Sequence, residues 1–284
     1  MSGAFKLFQV DAFAAAPFTG NPAAVMKLGR FFSAELMQNI AEENNLPETA
    51  FVVARPPEAG CDLLHFDLRW FTPTKEIDFC GHATLAAAHI LASEYHLSPP
   101  FVFHTRIGRL SVSRSIDGGS QDGEDSYCLN APIAQAAPAA LSAQIRAAFP
   151  MALTEAFTAA GNLYVAAQHE RDVRGFVPVR ADILPLSTSG VGLTAPGSGR
   201  YACVSRFFVP AEGIDEDPVT GSAHAAIGPY WAQKLGKTEL IAYQASPRGG
   251  ELGLRVRGDT IDITGPAITV LRGEIFLPPA VTRA

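Results

Sequence analysis

Cysteine is scarce in this chain, and the cysteines present are poorly placed for cross-linking. Its 284 residues hold four, Cys61, Cys80, Cys128 and Cys203, far apart in sequence. No C-x-x-C pair occurs, so neither a disulfide framework nor a zinc knuckle is the reading, and reduced thiols in a cytoplasmic protein are expected. No unpunctuated apolar run reaches the roughly 18 residues that a membrane helix requires. The opening MSGAFKLFQVDAF has one lysine, then an aspartate within the would-be apolar stretch, which is not the pattern of a signal peptide. No Lys/Arg run interleaves with aromatics and the net charge is −6, so nucleic acid is not an expected partner. Neither G-x-x-x-x-G-K-[ST] nor G-x-G-x-x-G occurs in a strand–turn–helix setting, and no H-x-x-x-H or acidic cluster speaks for a metal. The expected cofactor list is therefore empty.

What is present fits a globular chain of two domains. Apolar residues make up 48% and charged residues 18%, which is not a disordered composition, and the length exceeds what one core usually serves. Phe5 to Phe13 alternates as a strand, followed by a Gly20-Asn21-Pro22 turn and a short strand over Ala23–Met26. Ser33 caps a helix over Ala34–Glu43. Ala50–Val53, Leu63–Trp70, Phe101–His104 and Gly108–Ser113 read as strands. The polar, glycine-rich stretch 118–125 reads as a linker. Beyond it come strand Ser126–Leu129, a helix near Ala139–Ala148, strands near Asn162–Ala167 and Ala202–Val209, and a hairpin of Leu252–Val256 with Thr260–Thr264. A last strand lies near Glu274–Leu277.

Two segments say nearly the same thing in the two halves. Cys80-Gly81-His82-Ala83-Thr84 opens a helix running to Tyr95, and Asp217-Pro218-Val219-Thr220-Gly221-Ser222-Ala223-His224 opens one running to Leu235. Both helices are too apolar all round to lie on a surface, so both should be enclosed. The order is strands, enclosed helix, strands, twice over. A curved sheet wrapped around a central helix meets it better than a doubly wound parallel sheet. Each helix start carries unpaired N–H groups and partial positive charge, a ready anion site. Two such sites suggest a cleft that grips one small acidic molecule between related domains.

Read alone, the polar residues near these turns leave alternatives open. Glu48, in Leu46-Pro47-Glu48-Thr49, reads as a turn glutamate, although apolar neighbours would bury it in part, raise its pKa and suit it to proton transfer. His82 is either a core-edge histidine or the proton partner of a carboxylate. His89 and His224 are weaker cases that simply pack. Asp217, held out of helical geometry by Pro218, is placed to cap the second helix. Arg206 and Arg248 suit carboxylate binding or structural ion pairs equally.

Longer blocks carry a family resemblance. Arg69–Leu91 (RWFTPTKEIDFCGHATLAAAHIL) and Glu216–Gly236 (EDPVTGSAHAAIGPYWAQKLG) resemble the two signature blocks of the phenazine-biosynthesis PhzF-like family. Gln9–Val25, Asn44–Val52 and Gln244–Leu252 match further blocks, nearly end to end. The resemblance implies an α+β, diaminopimelate epimerase-like fold of two pseudo-repeated domains. These would be 1–117, completed by the C-terminal strand 274–284, and 126–273, joined by the linker 118–125. It implies a cofactor-independent isomerase with Glu48 as acid/base, and His82 and Asp217 setting its hydrogen bonds. Asn21, Gly81, Ala83, Thr220, Gly221, Ser222 and Ala223 would bind the substrate. A homodimer follows from the resemblance as well. Rival readings are an amino- or hydroxy-acid epimerase and a non-catalytic binder of small acids. Two-thiol racemases of the wider fold place a cysteine before each helix. Here Cys80 stands at the first position, but the second block has none, and Cys203 lies upstream in a strand.

Overall fold

The computed structural model describes residues 3–58, 60, 62–115 and 126–278. Cys61, the stretch 118–125 and the residues from 279 onward lie outside the described residues. The chain forms two compact units, Met1–Asn130 with Thr264–Ala284, and Ala131–Ile263. The sequence reading placed the divisions at 117/126 and 273/274.

Unit 1 contains β1 (Gly3–Ala12), β2 (Asn21–Leu28), α1 (Ala34–Asn44), β3 (Glu48–Ala54), β4 (Leu64–Phe71), β5 (Glu76–Ile77), α2 (Gly81–Ser93), β6 (Phe101–Thr105), β7 (Gly108–Arg114) and β8 (Ser126–Pro132). Unit 2 contains β9 (Ala137–Ala139), α3 (Ala143–Ala148), β10 (Leu153–Ala159), β11 (Asn162–Ala167), α4 (Glu170–Gly175), α5 (Arg180–Ile183), β12 (Val191–Pro196), β13 (Cys203–Phe208), β14 (Glu216–Asp217), α6 (Gly221–Leu235), β15 (Glu239–Gln244) and β16 (Gly250–Arg257). The strand β17 (Thr260–Leu277) begins in unit 2 and ends in unit 1, paired to β1.

In unit 1, β1 pairs antiparallel with β2, and β2 runs parallel to β3 across the α1 crossover. The antiparallel partner of β3 is β4, and β4 runs parallel to β6 across a crossover made of β5 and α2. The series continues antiparallel through β7 and β8, and β8 is in turn paired to β17. Parallel neighbours require such crossovers, because a tight turn cannot return the chain in the same direction. The consequence is that α2 sits inside the strands. Every residue from Gly81 to Ala92 is buried. Leu85, Ile90 and Leu91 fill the interior, each worth about 1.5–3 kcal/mol of burial. Ala83, Ala86, Ala87 and Ala88 let β1, β2 and β3 approach closely.

Unit 2 repeats this plan. The pair β10/β11 is antiparallel, β11/β12 parallel, β12/β13 antiparallel, β13/β15 parallel across α6, and β15/β16 antiparallel. The helix α6 packs on β12, β15 and β16. Even the short strands correspond, since β5 pairs with β4 as β14 pairs with β13. Each pairing is braced by one arginine–glutamate fork. Arg69 Nε and Nη2 donate to the two oxygens of Glu76 at 2.7 Å, and Arg206 Nε and Nη2 donate to those of Glu216 at 2.7 and 2.6 Å. The guanidiniums lie 5.2 Å from the rings of Phe71 and Phe208, respectively. Arg206 is thus committed to a structural ion pair, the second of its two sequence readings.

Four local expectations need correction. Asn21 and Pro22 belong to β2, opposite Ala12 and Asp11. The reversal is made by Gly20, at φ +66°, where a Cβ would meet the Ala12 carbonyl at 2.2 Å. The helix near Ala139–Ala148 shortens to α3, because Ser142 caps it, its hydroxyl accepting from Ile145 N, and Pro138 lies in β9. The strands expected at 260–264 and 274–277 are one strand, β17. Lastly, β10, β12 and β15 were not anticipated, since each mixes glycine, proline, glutamate or alanine into a short run.

The two braces differ in burial. Side chains of Arg206 and Glu216 are 7% and 10% exposed, whereas Arg69 is 25% exposed. Glu216→Gln leaves a buried guanidinium unpaired and should cost about 3–5 kcal/mol. Glu76→Gln should cost less, because water reaches both of its partners, Arg69 and the exposed Arg106. The urea midpoints of the two variants give the comparison, and equal losses would refute burial as the deciding factor.

Candidate active site

Three element starts converge in unit 1. In the parallel register of β2 and β3, Glu48 stands opposite Ala23, two residues beyond Asn21. Cys80, in extended geometry at the N-cap, delivers His82 to the first turn of α2. The Nε2 atom of His82 lies 2.9 Å from Glu48 Oε2, with side chains 4% and 14% exposed. Nδ1 of the same ring lies 3.1 Å from Asn21 Nδ2 and 3.4 Å from Cys80 Sγ. The Asn21 amide is a donor there, and a thiol can be one, so Nδ1 is the acceptor of the neutral ring. The proton then sits on Nε2, facing Glu48. The Nε2 and Oε2 atoms are close but not aligned as a formed hydrogen bond.

The electrostatics of this group follow from its partners. Burial lowers the His82 pKa, but the Cys80 and Glu48 side chains beside the ring outweigh it and raise that pKa well above 6.5. The Cys80 contribution requires a thiolate, and burial together with Glu48 pushes that thiol up to about 11. Glu48 is the partner whose influence on His82 does not depend on a thiolate.

In unit 2 the corresponding helix start is built differently. Thr220 is the N-cap of α6, where Cys80 is that of α2. The Thr220 hydroxyl donates to Asp217 Oδ2. The cap position expected of Asp217 thus falls to Thr220, because β14 carries Asp217 as its last residue, in register with Phe207. Gln244, wholly buried, locks the turn: its Oε1 accepts from Thr220 N at 2.8 Å and its Nε2 donates to the Asp217 carbonyl at 2.7 Å. Ser246 adds a hydroxyl donated to the Pro218 carbonyl at 2.6 Å. Neither residue was singled out from sequence; Gln244 ends β15, which was itself unanticipated, and Ser246 lies two residues beyond it. Gly221 and Ala223 are buried at the helix start, and Ser222 is half-buried.

His224 shows the opposite balance to His82. Burial lowers its pKa to about 4, against a hydrogen bond to the Thr220 carbonyl. Its Nδ1 donates to that carbonyl at 2.8 Å, leaving Nε2 to accept from Ser205 Oγ at 3.1 Å. His89 is likewise engaged, with Nε2 2.9 Å from Thr269 Oγ1 and its ring edge-on to Tyr127.

Two duplicated units, each a strand array around a helix, define the diaminopimelate epimerase-like fold; α2 is enclosed from Gly81 to Ala92, whereas the expected enclosure of α6 fails at its last turn, where Gln233, Lys234 and Leu235 are exposed. A hydroxyproline epimerase from Agrobacterium vitis shares this architecture, with a TM-score of 0.60 at 11% identity, over 98% of this chain and 94% of that one. The chain belongs to the phenazine biosynthesis-like protein family, PhzC-PhzF, whose family model matches residues 10–273. An uncharacterized isomerase of Pseudomonas aeruginosa is 43% identical over 272 residues, which is 95% of this chain and 98% of the relative. The crystal structure of a PhzF family protein from Enterococcus faecalis superposes with a TM-score of 0.86 at 38% identity, covering 98% of this chain and 100% of the other. Among the described residues no helix is long and apolar enough to cross a membrane.

Both histidines yield a pH test. With a raised folded pKa, His82 adds stability below its ordinary range, and that stability is lost as pH rises through the folded value. In Glu48→Gln the NMR-detected pKa of His82 should fall below that of the parent chain. An unchanged value would remove Glu48 as the cause. His224 acts in the other direction: the unfolded chain binds its proton near pH 6.5 and the folded chain only near 4. Stability should therefore drop by about 3 kcal/mol as pH falls across that window. His224→Gln should flatten this slope in urea titrations at a series of pH values, and a slope kept intact would show that other groups set it.

Proposed function

We propose that the chain is a cofactor-independent isomerase that moves a proton between carbons of a small carboxylate-bearing substrate. The observation that carries this reading is the 2.9 Å Glu48–His82 pair at the start of a fully buried helix. Glu48, as carboxylate, removes a proton from a carbon activated by an adjacent carboxylate or double bond. The C–H bond breaks, an O–H bond forms, and the electron pair spreads into the conjugated system. Returning the same proton at another carbon completes an isomerisation with no net redox change. The N–H groups of Gly81, His82 and Ala83 at the helix start stabilise the transient negative charge. His82, whose Nδ1 accepts from the Asn21 amide, turns its Nε2 to Glu48 and fixes the direction of that carboxylate. Asp217 enters this reading through the resemblance of its block alone; its own surroundings are those of the turn it braces.

Thiol-based racemisation is disfavoured on two grounds. Burial and Glu48 hold the Cys80 thiol at about 11, far from a neutral-pH base. The equivalent N-cap in unit 2 is Thr220 rather than a second cysteine.

Glu48→Gln should preserve the fold and slow turnover by roughly 10²–10⁴-fold, the usual contribution of general acid–base catalysis. Cys80→Ala should cost far less. A panel of small unsaturated and amino carboxylates in D2O, followed by NMR, reports the proton transfer directly. Exchange abolished by Cys80→Ala but kept by Glu48→Gln would reverse the assignment. Label appearing only at an inverted stereocentre would make the enzyme an epimerase.

A further inference from the structure

A second group of ligating side chains lies in unit 1, apart from Glu48 and His82 and unused by the reaction proposed above. His65 is on β4, His104 on β6, and Glu58 on the segment that follows β3. The parallel register sets Asp67 opposite His104 and His65 opposite Val102. Side chains two apart on a strand share a face, so both imidazoles emerge on the same side of the sheet. His65 Nδ1 and His104 Nε2 are 2.9 Å apart. Glu58 Oε1 stands 3.5 Å from the first and 3.8 Å from the second. No short motif announces the group, because its members are spread over three elements.

We infer that Glu58, His65 and His104 form a binding site for a divalent transition-metal ion such as zinc. A circle through the three donor atoms, from their separations of 2.9, 3.5 and 3.8 Å, has a radius of about 2.0 Å, which is the metal–ligand distance of zinc with imidazole and carboxylate. An ion on or just off that plane reaches all three donors with little movement. A single N–H···N hydrogen bond accounts for the imidazole pair, but it does not require a carboxylate oxygen equidistant, within a few tenths of an ångström, from both nitrogens. Two imidazoles with one carboxylate suit zinc, nickel or copper better than magnesium or calcium, which seek oxygen. Three protein ligands leave a further position for water or a small anion. His65 is 3% exposed, whereas His104 and Glu58 are 16% and 34% exposed, so the ion enters from their side. Two cations stand nearby. Arg109 donates to the same Glu58 oxygen at 3.1 Å, and Arg55 is held by Asp67 at 2.8 Å. The Arg109 side chain is 62% exposed and can yield the oxygen to the ion by turning into water. A bound ion would tie the segment after β3 to β4 and β6, and so raise the melting temperature of the folded chain.

The test uses the untagged full chain, stripped with chelator and titrated with zinc by calorimetry, with cobalt as the spectroscopic probe. One equivalent of zinc should bind, and melting should shift upward. His104→Gln and Glu58→Gln, at partly exposed positions that leave the core intact, should each weaken binding at least tenfold. Arg109→Ala keeps all three ligands and should tighten it. Cobalt should give visible bands without the strong near-ultraviolet band of a thiolate ligand, and Cys80→Ala should bind as the parent does. This last arm matters because Glu48, Cys80 and His82 also lie within ligating distance of one another. Absence of zinc binding would overturn the inference. Binding that survives His104→Gln and Glu58→Gln, binding lost in Cys80→Ala, or affinity unmoved by Arg109→Ala would overturn it equally.

Discussion

A helix without a polar face cannot rest on a surface, and this constraint organises both units. In α2 the run from Gly81 to Ala92 is buried throughout, so strands must pass on several sides of it. That in turn demands parallel neighbours, β4 with β6 and β13 with β15, with the helix as the crossover between them. The helix must then begin inside the protein. Its first N–H groups, which no helical carbonyl can satisfy, are delivered to an interior, water-poor place. Enclosure of the helix thus creates the electrostatic site before any catalytic side chain is added.

Each helix start needs a fixed approach, and the same device supplies it twice. A two-residue strand leads to the turn, pinned by a bidentate arginine–glutamate fork with an aromatic ring beside the guanidinium. The frame is duplicated; the chemistry it holds is not. Where unit 1 has Cys80 and His82 at the N-cap and second helical residue, unit 2 has Thr220 and Ser222. Where unit 1 opens β3 with Glu48, unit 2 opens β12 with Val191-Gly192-Leu193. A Gln244 clamp on the turn holds the unit 2 helix start, with Asp217 accepting from the Thr220 hydroxyl, whereas unit 1 sets a carboxylate against a histidine.

The plan of the fold was legible because it rests on features that sequence displays directly. Two apolar helices without a polar stripe, each preceded by small residues, announced enclosure and duplication. The α1 cap at Ser33 was visible for the same reason, since a serine before an amphipathic run has few other uses; its hydroxyl accepts from Leu36 N at 3.2 Å. Strands were harder. In β10 and β12 the neighbours across the sheet, not the residues themselves, decide the conformation. Side-chain partnerships were least legible. Nothing in the spacing of Gln244, Asp217 and Thr220 states that one amide bridges the others. The 7- and 39-residue separations within the Glu58, His65 and His104 group likewise have meaning only after β4 and β6 are paired.

The two buried histidines near the helix starts offer an internal comparison of what burial and charge each do. His82 and His224 are both removed from water, on homologous helices, a few positions from the N-terminus. A carbonyl and a serine hydroxyl surround His224, and burial alone decides its state: the ring is neutral until about pH 4. His82 has Cys80 at 3.4 Å and the Glu48 carboxylate at 2.9 Å, and together they outweigh the same burial, so its pKa lies well above the ordinary value. Apolar enclosure by itself thus silences a histidine. Acid–base capacity at the start of α2 comes from placing Glu48 against it, and Glu48 is there because β2 and β3 run parallel with Ala23 in register. The Glu48–His82 pair is thus a consequence of that strand register.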